Sequence, residues 1–399
     1  MLVNTSMDEV KKRENSLKII RKIIKNQGRE KLYDLTGLSG GFIANQKDLN
    51  LLETYVGPAI FEEELDKLGK EHLGGEKVLA VNRTSSGILA TILTLIKPNS
   101  YLIHFLPKSP SHPSITKSVE IAKGKYLEFD NINDFHIVEN TSLIVITGST
   151  MDHKVLDEET FKKIINNAHK QDIPVFVDDA SGARLRTVIY NQKKAIDLGA
   201  DLVVTSTDKL MSGPRGGLMA GKTNLINKIK STAYQFGLEA QPPSILAMVN
   251  GLKAFKKENL LNSIEKKESL MDMLNSYSMF EETPTGIMVS EDKLKNEVKN
   301  CGKIDDKTLS RIDKEISSSD LCFIWALLLL KDEGIVTIPA VSMPGASSTI
   351  RFDLSSKDAI SLNMNSLYEK MDNSFKKLLD TIQDLNKSKE IIYGTELVS

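Results

Sequence analysis

Residues 200–221 read ADLVVTSTDKLMSGPRGGLMAG. An apolar, β-branched run from Leu202 ends in a hydroxyl-rich turn, Lys209 stands where the run stops, and a glycine-studded loop begins four residues later at Gly213. A lysine in that place is either a solvated surface charge or a group aimed into a cleft at the carboxyl end of a strand. The flanking sequence has to decide between the two.

On the amino side, short apolar runs alternate with helical stretches. VLAVN, YLIHF, KYLEF, LIVITG, VFVDD and DLVVTS read as strands, while ILATILTLI and ETFKKIINNAHKQ read as helices. Strands separated by helices predict βαβ units and an α/β fold, with a mostly parallel sheet lying between helices. Ligands of such sheets bind beyond the carboxyl ends of the strands. On the carboxyl side the pattern predicts a helical region after Pro243, a strand at GIMVS, a charged helix to about Ile316 and a buried apolar helix at Leu321–Leu330. Strands GIVTIP and STIRFDL follow, then a last amphipathic helix from about Asn363 to Leu385. The expected organisation is an amino-terminal helical arm (1–30), a large domain (31–260) and a smaller α+β domain (261–399).

The 399 residues exceed what one core holds, and 52 basic against 53 acidic residues leave a formal net charge of -1. That balance argues against a nucleic-acid or anionic-membrane partner. The two cysteines, Cys301 and Cys322, form neither a disulfide framework nor a metal-ligand spacing, so no metal and a reducing, cytoplasmic setting are expected. No apolar run approaches the ~20 residues that span a bilayer.

Three strand ends combine unusual residue types. VFVDDASGAR puts Asp178 and Asp179 at one, VVTSTDKL puts Lys209 at another, and TSSG, residues 84–87, lies between a strand and a helix. A carboxylate at the base of a cleft can keep a pyridine nitrogen protonated. A lysine amine can form a Schiff base with an aldehyde, and hydroxyls with free amides at a helix start can hold a phosphate. Pyridoxal 5'-phosphate requires all three. Asp179, beside Asp178, is a rival candidate of the same type.

AIDLGADLVVTSTDKLMSGPRGG, together with VDDASG about thirty residues earlier, resembles the fold type I pyridoxal-phosphate enzymes, the aminotransferase-like superfamily. Within it, the nearest likeness is to the bacterial selenocysteine synthases and the selenocysteine-synthase-like proteins of methanogens. The resemblance covers residues 30–385 and implies a sheet of the seven-stranded type. It makes Lys209 the Schiff-base lysine and Asp178 the partner of the pyridine nitrogen, with Ala180 beneath the ring. Ser85, Ser86 and Gly87 match the phosphate cup, and Ser206 matches a second phosphate contact. His112 falls where relatives stack a ring on the cofactor. Arg351, after the turn at Pro344-Gly345, falls where they bind the substrate α-carboxylate. Arg184, Arg186 and Arg215 remain open as contacts to cofactor or substrate. A homodimer or a larger assembly of dimers is implied, with the segment from TGLSGG to ETYVGPA contributing.

The likeness has two gaps. Bacterial selenocysteine synthases carry an additional amino-terminal tRNA-binding region, whereas here the family-like part starts after about thirty residues. They also carry closely spaced arginines after the lysine, where this chain reads STAYQFGLEAQPPSI. Both weigh against selenium transfer on seryl-tRNA. The expected activity is α-proton removal from a small amino acid followed by β-elimination or β-replacement. An aminotransferase, and a cofactor-binding regulatory protein without turnover, remain alternatives.

Overall fold

The computed structural model describes residues 1–38, 40–150, 152–342 and 346–395, so the expected Pro344-Gly345 turn and Ser39 lie outside the described residues. The chain forms two compact units, one of residues 40–257 and one of residues 1–39 with 258–399.

The first unit is built on a seven-stranded sheet. Its strands are β1 (Lys77–Val81), β2 (Tyr101–Phe105), β3 (Lys125–Phe129), β4 (Thr141–Thr147), β5 (Val175–Asp178), β6 (Leu202–Ser206) and β7 (Gly217–Gly221). In space the order is β1-β7-β6-β5-β4-β2-β3, and only β7 runs against the others. Alternation along the strands sends Leu79, Val145, Phe176, Val204 and Met219 to one face, where helices Thr84–Leu95, Pro113–Ile121 and Thr223–Gln235 cover them. Ile103, Ile146, Val177, Val203 and Ala220 go to the other face, beneath helices Val56–Leu73, Glu158–His169 and Pro242–Lys253. With both faces covered, the strands read as nearly continuous apolar runs.

One expectation needs correcting. GLMAG, read as part of the glycine loop, is the strand β7, and it fills the gap between β1 and β6. Glycine at its two ends answers to crowding. A Cβ on Gly221 would stand 2.3 Å from the Asp201 carbonyl oxygen, and one on Gly217 would stand 2.7 Å from the Arg83 backbone.

In the second unit, helix Ser318–Glu333 is the centre of the core, with Leu321 to Leu330 buried on all sides. A capping box between Ser317 and Asp320 starts it, and Gly334 in the left-handed conformation ends it. The Trp325 indole donates to Ser374 Oγ at 2.9 Å. An antiparallel sheet, in the order β10 (Ile350–Asp353), β9 (Gly286–Val289), β8 (Glu281–Thr283), packs beside it. The amino-terminal helix, Ser6–Gln27, is part of this unit. Ser16 Oγ donates to the Ala340 carbonyl at 2.6 Å, and the amides of Leu2 and Val3 donate to Asp320 at 2.8 and 2.9 Å. Among the described residues, no helix is long and apolar enough to cross a membrane.

Candidate active site

At the carboxyl end of β5 the two adjacent aspartates part company. Asp179 is buried and faces Arg186, which donates Nη2 to Oδ2 at 2.6 Å and Nε to Oδ1 at 3.2 Å. The guanidinium of Arg186 also lies 4.5 Å over the Phe161 ring, on the face covered by helix Glu158–His169. Asp178 belongs to the opposite face, in register with Thr147 and Val204. Its Oδ1 is buried and has no hydrogen-bond partner. Burial pushes its carboxyl up to about 6 against the pull of the Lys209 charge, with Asp179 adding to the rise.

Lys209 follows the end of β6, half-buried, near enough for its charge to act on both Asp178 and His112. Its backbone is fixed by Arg184, a fully buried guanidinium. Arg184 donates Nε to the Lys209 carbonyl at 2.8 Å, Nη2 to Thr205 Oγ1 at 3.1 Å and Ala180 O at 3.3 Å, and Nη2 again to Ser206 O. Its Nη1 meets His72 Nε2 at 2.9 Å. This one side chain ties the ends of β5 and β6 together. Arg184 and Arg186 are therefore consumed by structure, whereas Arg215 is largely exposed, with its Nε 3.8 Å from Asp208. Asp208 in turn accepts the Ser206 hydroxyl at 2.5 Å.

Ser85, Ser86 and Gly87 form the first turn of helix Thr84–Leu95, with Arg83 as an extended N-cap that supplies no side-chain cap. The amides of Ser86 and Gly87 turn back to the Arg83 carbonyl, and those of Thr84 and Ser85 stand in the first turn, at the positive end of the helix. Gly87 is buried against the sheet, and a Cβ there would stand 2.8 Å from Met219 Sδ. Its requirement is close packing of the helix. Arg83 lies close to Arg215 and Asp208, and desolvation followed by the Arg215 charge lowers its pKa.

His112 caps the helix Pro113–Ile121. Its Nδ1 accepts from the Ser114 amide at 3.1 Å. Desolvation, then the charges of Lys209 and Arg83, lower its pKa and keep the ring neutral. Ala180 follows Asp178 and Asp179, and its carbonyl accepts the Ser206 amide at 3.1 Å. Arg351 lies in the other unit, on β10. It is buried and donates Nη2 to the Thr36 carbonyl at 2.7 Å, with Gly37 packed against the guanidinium.

Within the first unit, then, Asp178, Lys209, Ser206, His112 and the Ser85–Gly87 turn gather at one end of the sheet. An orphaned carboxylate oxygen there fits a protonated ring nitrogen. The first-turn amides of Thr84 and Ser85, with Arg83 and Arg215 nearby, fit a phosphate dianion. Sequence reasoning missed Arg83 and Asp208. Arg83 directly precedes TSSG and Asp208 directly precedes Lys209, so adjacency to each motif was the available signal. The scaffolding role of Arg184 depends on contacts to residues far along the chain and left no local signal. Among the described residues, no group of three His, Cys, Asp or Glu side chains is arranged to hold a metal ion.

Known proteins resemble this chain over most of its length. The family profile described as L-seryl-tRNA selenium transferase matches residues 132–303, and that of the UPF0425 C-terminal domain matches residues 276–363. A UPF0425 pyridoxal phosphate-dependent protein of Methanothermobacter thermautotrophicus is 48% identical over 393 residues, covering 98% of this chain and all of its own. Its counterpart in Methanosphaera stadtmanae is 46% identical, again over 98% of this chain and all of its own. Among solved structures, YbdL of Escherichia coli, described with a methionine aminotransferase function, superposes with a TM-score of 0.59 at 14% identity, covering 91% of this chain and 96% of its own. A SepCysS-SepCysE N-terminal domain complex gives a TM-score of 0.57 at 15% identity, covering 91% and 98%. These structures share the fold type I architecture. At full length and nearly half identity to its relatives, the chain belongs to the UPF0425 family of pyridoxal phosphate-dependent proteins.

Proposed function

We propose that this protein is a pyridoxal-phosphate lyase or transferase that removes the α-proton of a small amino acid and then eliminates or replaces its β-substituent. The observation that carries the reading is the pairing, at adjacent strand ends, of a buried unpartnered Asp178 oxygen with a lysine whose charge acts on it. When bound, the cofactor supplies an electron sink for the electron pair left at the α-carbon. Asp178 accepts the N–H of the pyridine nitrogen and, ionised, keeps that nitrogen protonated. Lys209 Nζ would hold the cofactor and, when free, would carry the α-proton. Ser85, Ser86, Gly87 and Ser206 would hold the phosphate, Arg83 and Arg215 would offset its charge, and Ala180 and His112 would contact the ring. For Arg351 as the grip on the substrate carboxylate, the family resemblance is the support, together with the planar fork that suits a carboxylate.

The selenium transferase profile over residues 132–303 favours chemistry at the β-carbon over transamination. The test is to incubate the cofactor-loaded protein with single amino acids that carry a β-leaving group. The reading expects a 2-oxo acid and ammonia, or the β-substituted product when a thiol is supplied, with no 2-oxo acid co-substrate. Turnover only in the presence of an added 2-oxo acid, with conversion of the cofactor to its amine form, would replace it by an aminotransferase.

A further inference from the structure

The segment Leu106–His112 connects β2 to the helix Pro113–Ile121 and ends in the histidine on which the charges of Lys209 and Arg83 act. Its backbone is fastened along β3. The Leu106 amide donates to the Phe129 carbonyl at 3.1 Å, the Ser109 amide to Asp130 Oδ2 at 3.1 Å and the Ser111 amide to Glu128 Oε2 at 3.2 Å. Tyr126, Glu128 and Asp130 are spaced by two along the chain from β3, so they line one side of it.

Behind this anchor runs a partly buried chain of hydrogen bonds. The single phenol proton of Tyr126 goes to the Glu128 carboxylate. Desolvation works against that carboxylate's charge, but the hydrogen bonds it receives, first from Tyr126, outweigh it and hold the pKa below the ordinary value. The Tyr126 oxygen therefore accepts from the Ser111 hydroxyl and from His104 Nδ1, each 2.8 Å away. His104 is fully buried, and burial keeps it neutral, with its pKa down to about 4. Its Nε2 then accepts from Thr147 Oγ1 at 2.8 Å, and Thr147 is the strand neighbour of Asp178. At the far end, His112 Nδ1 accepts from the Ser114 amide, which leaves the proton of the neutral ring on Nε2.

We propose that Tyr126, Glu128 and Asp130 are positioning residues. They hold the segment Leu106–His112 so that the His112 ring stays against Lys209 in its Nε2–H form, and His104 and Thr147 tie that anchor to the strand pair that carries Asp178. The inference rests on the reading of Lys209, Asp178 and His112 given above.

The test uses the full chain loaded with pyridoxal phosphate, as Tyr126→Phe, as Asp130→Ala and, for a surface control, as Lys117→Ala. The titration of His112 is followed by NMR, together with amide exchange and the absorbance change on adding an amino acid. In the first two variants the Ser109 and Ser111 amides exchange about tenfold faster or more, and the His112 pKa rises toward its ordinary value of about 6.5 as the ring regains water and leaves the positive charges. The amino-acid-induced absorbance change slows about tenfold while cofactor affinity falls less, because the contacts at Lys209, Asp178 and the phosphate turn remain. The control matches the parent. His112 titration and amide exchange that match the parent in both variants would overturn the proposal. Should Tyr126→Phe fail to fold, the exposed Asp130→Ala decides alone. A parent that takes up no pyridoxal phosphate would overturn the reading of the site, while the His112 titration would still decide whether the segment is held as proposed.

Discussion

Asp178 and Asp179 are chemically identical neighbours with opposite fates, because a strand sends consecutive side chains to opposite faces. Asp179 finds Arg186 and becomes part of the scaffold. Asp178 keeps an unpartnered Oδ1, and burial, against the Lys209 charge and a backbone hydrogen bond from Ala180, leaves its pKa raised from 3.8 to about 6. Protonated in both folded and unfolded chains below about pH 4, it costs nothing there; as the pH rises through about 6 it ionises in a buried site and stability is lost. In the cofactor-free protein this one group lowers stability by roughly 3 kcal/mol across that window. Asp178→Asn is therefore expected to flatten the loss between about pH 4 and 6 in denaturant titrations, and at neutral pH to stabilise the empty protein while weakening cofactor binding. An unchanged pH profile in the variant would mean that Asp178 is not the strained group. Alternation shows in the sequence that the two side chains part, and the family resemblance supplies the preference for Asp178. The environment that separates the two carboxylates was not, because Arg186 and Phe161 reach Asp179 through folding.

The six strands read from β-branched runs are present with ends shifted by a residue or two, and the helix at Leu321–Leu330 is as buried as its composition predicts. The seventh strand, β7, escaped because glycine is depleted in strands and its residues, buried on both faces, show no alternation. Its glycines mark where backbones approach, and this gives an element-scale prediction. Gly217→Ala would press a methyl group into the Arg83 backbone at 2.7 Å, just before the turn that offers the Thr84 and Ser85 amides. Overpacking of this kind costs roughly 1–3 kcal/mol, seen as a lower urea midpoint. It should also weaken binding of pyridoxal phosphate more than binding of pyridoxal, which lacks the phosphate. Equal weakening of both would detach the strand from the cup.

At the scale of the whole molecule, the strand-helix alternation made the sheet-based unit legible. The pairing of residues 1–39 with 258–399 in one unit was not, because it rests on contacts more than three hundred residues apart, such as the amides of Leu2 and Val3 on Asp320. The segment after Gly40 exposes Phe42 (65%), Tyr55 (88%) and Ile60 (51%), an apolar concentration that surface residues of a lone subunit seldom show. We propose that a second copy of the chain covers it. Light scattering at micromolar concentration is expected to give a dimer or a multiple of one, and Phe42→Asp with Tyr55→Asp to shift it toward monomer. A monomeric parent with cofactor bound would contradict this.

The claim on which the account turns is that Lys209 carries the cofactor. The most direct test is to reduce the protein loaded with pyridoxal phosphate with borohydride and map the adduct by mass spectrometry, alongside Lys209→Ala. The expected result is a visible absorption band that borohydride abolishes, a phosphopyridoxyl group on Lys209 alone, and neither in the variant. A modified lysine elsewhere, or an undiminished band in Lys209→Ala, would contradict it.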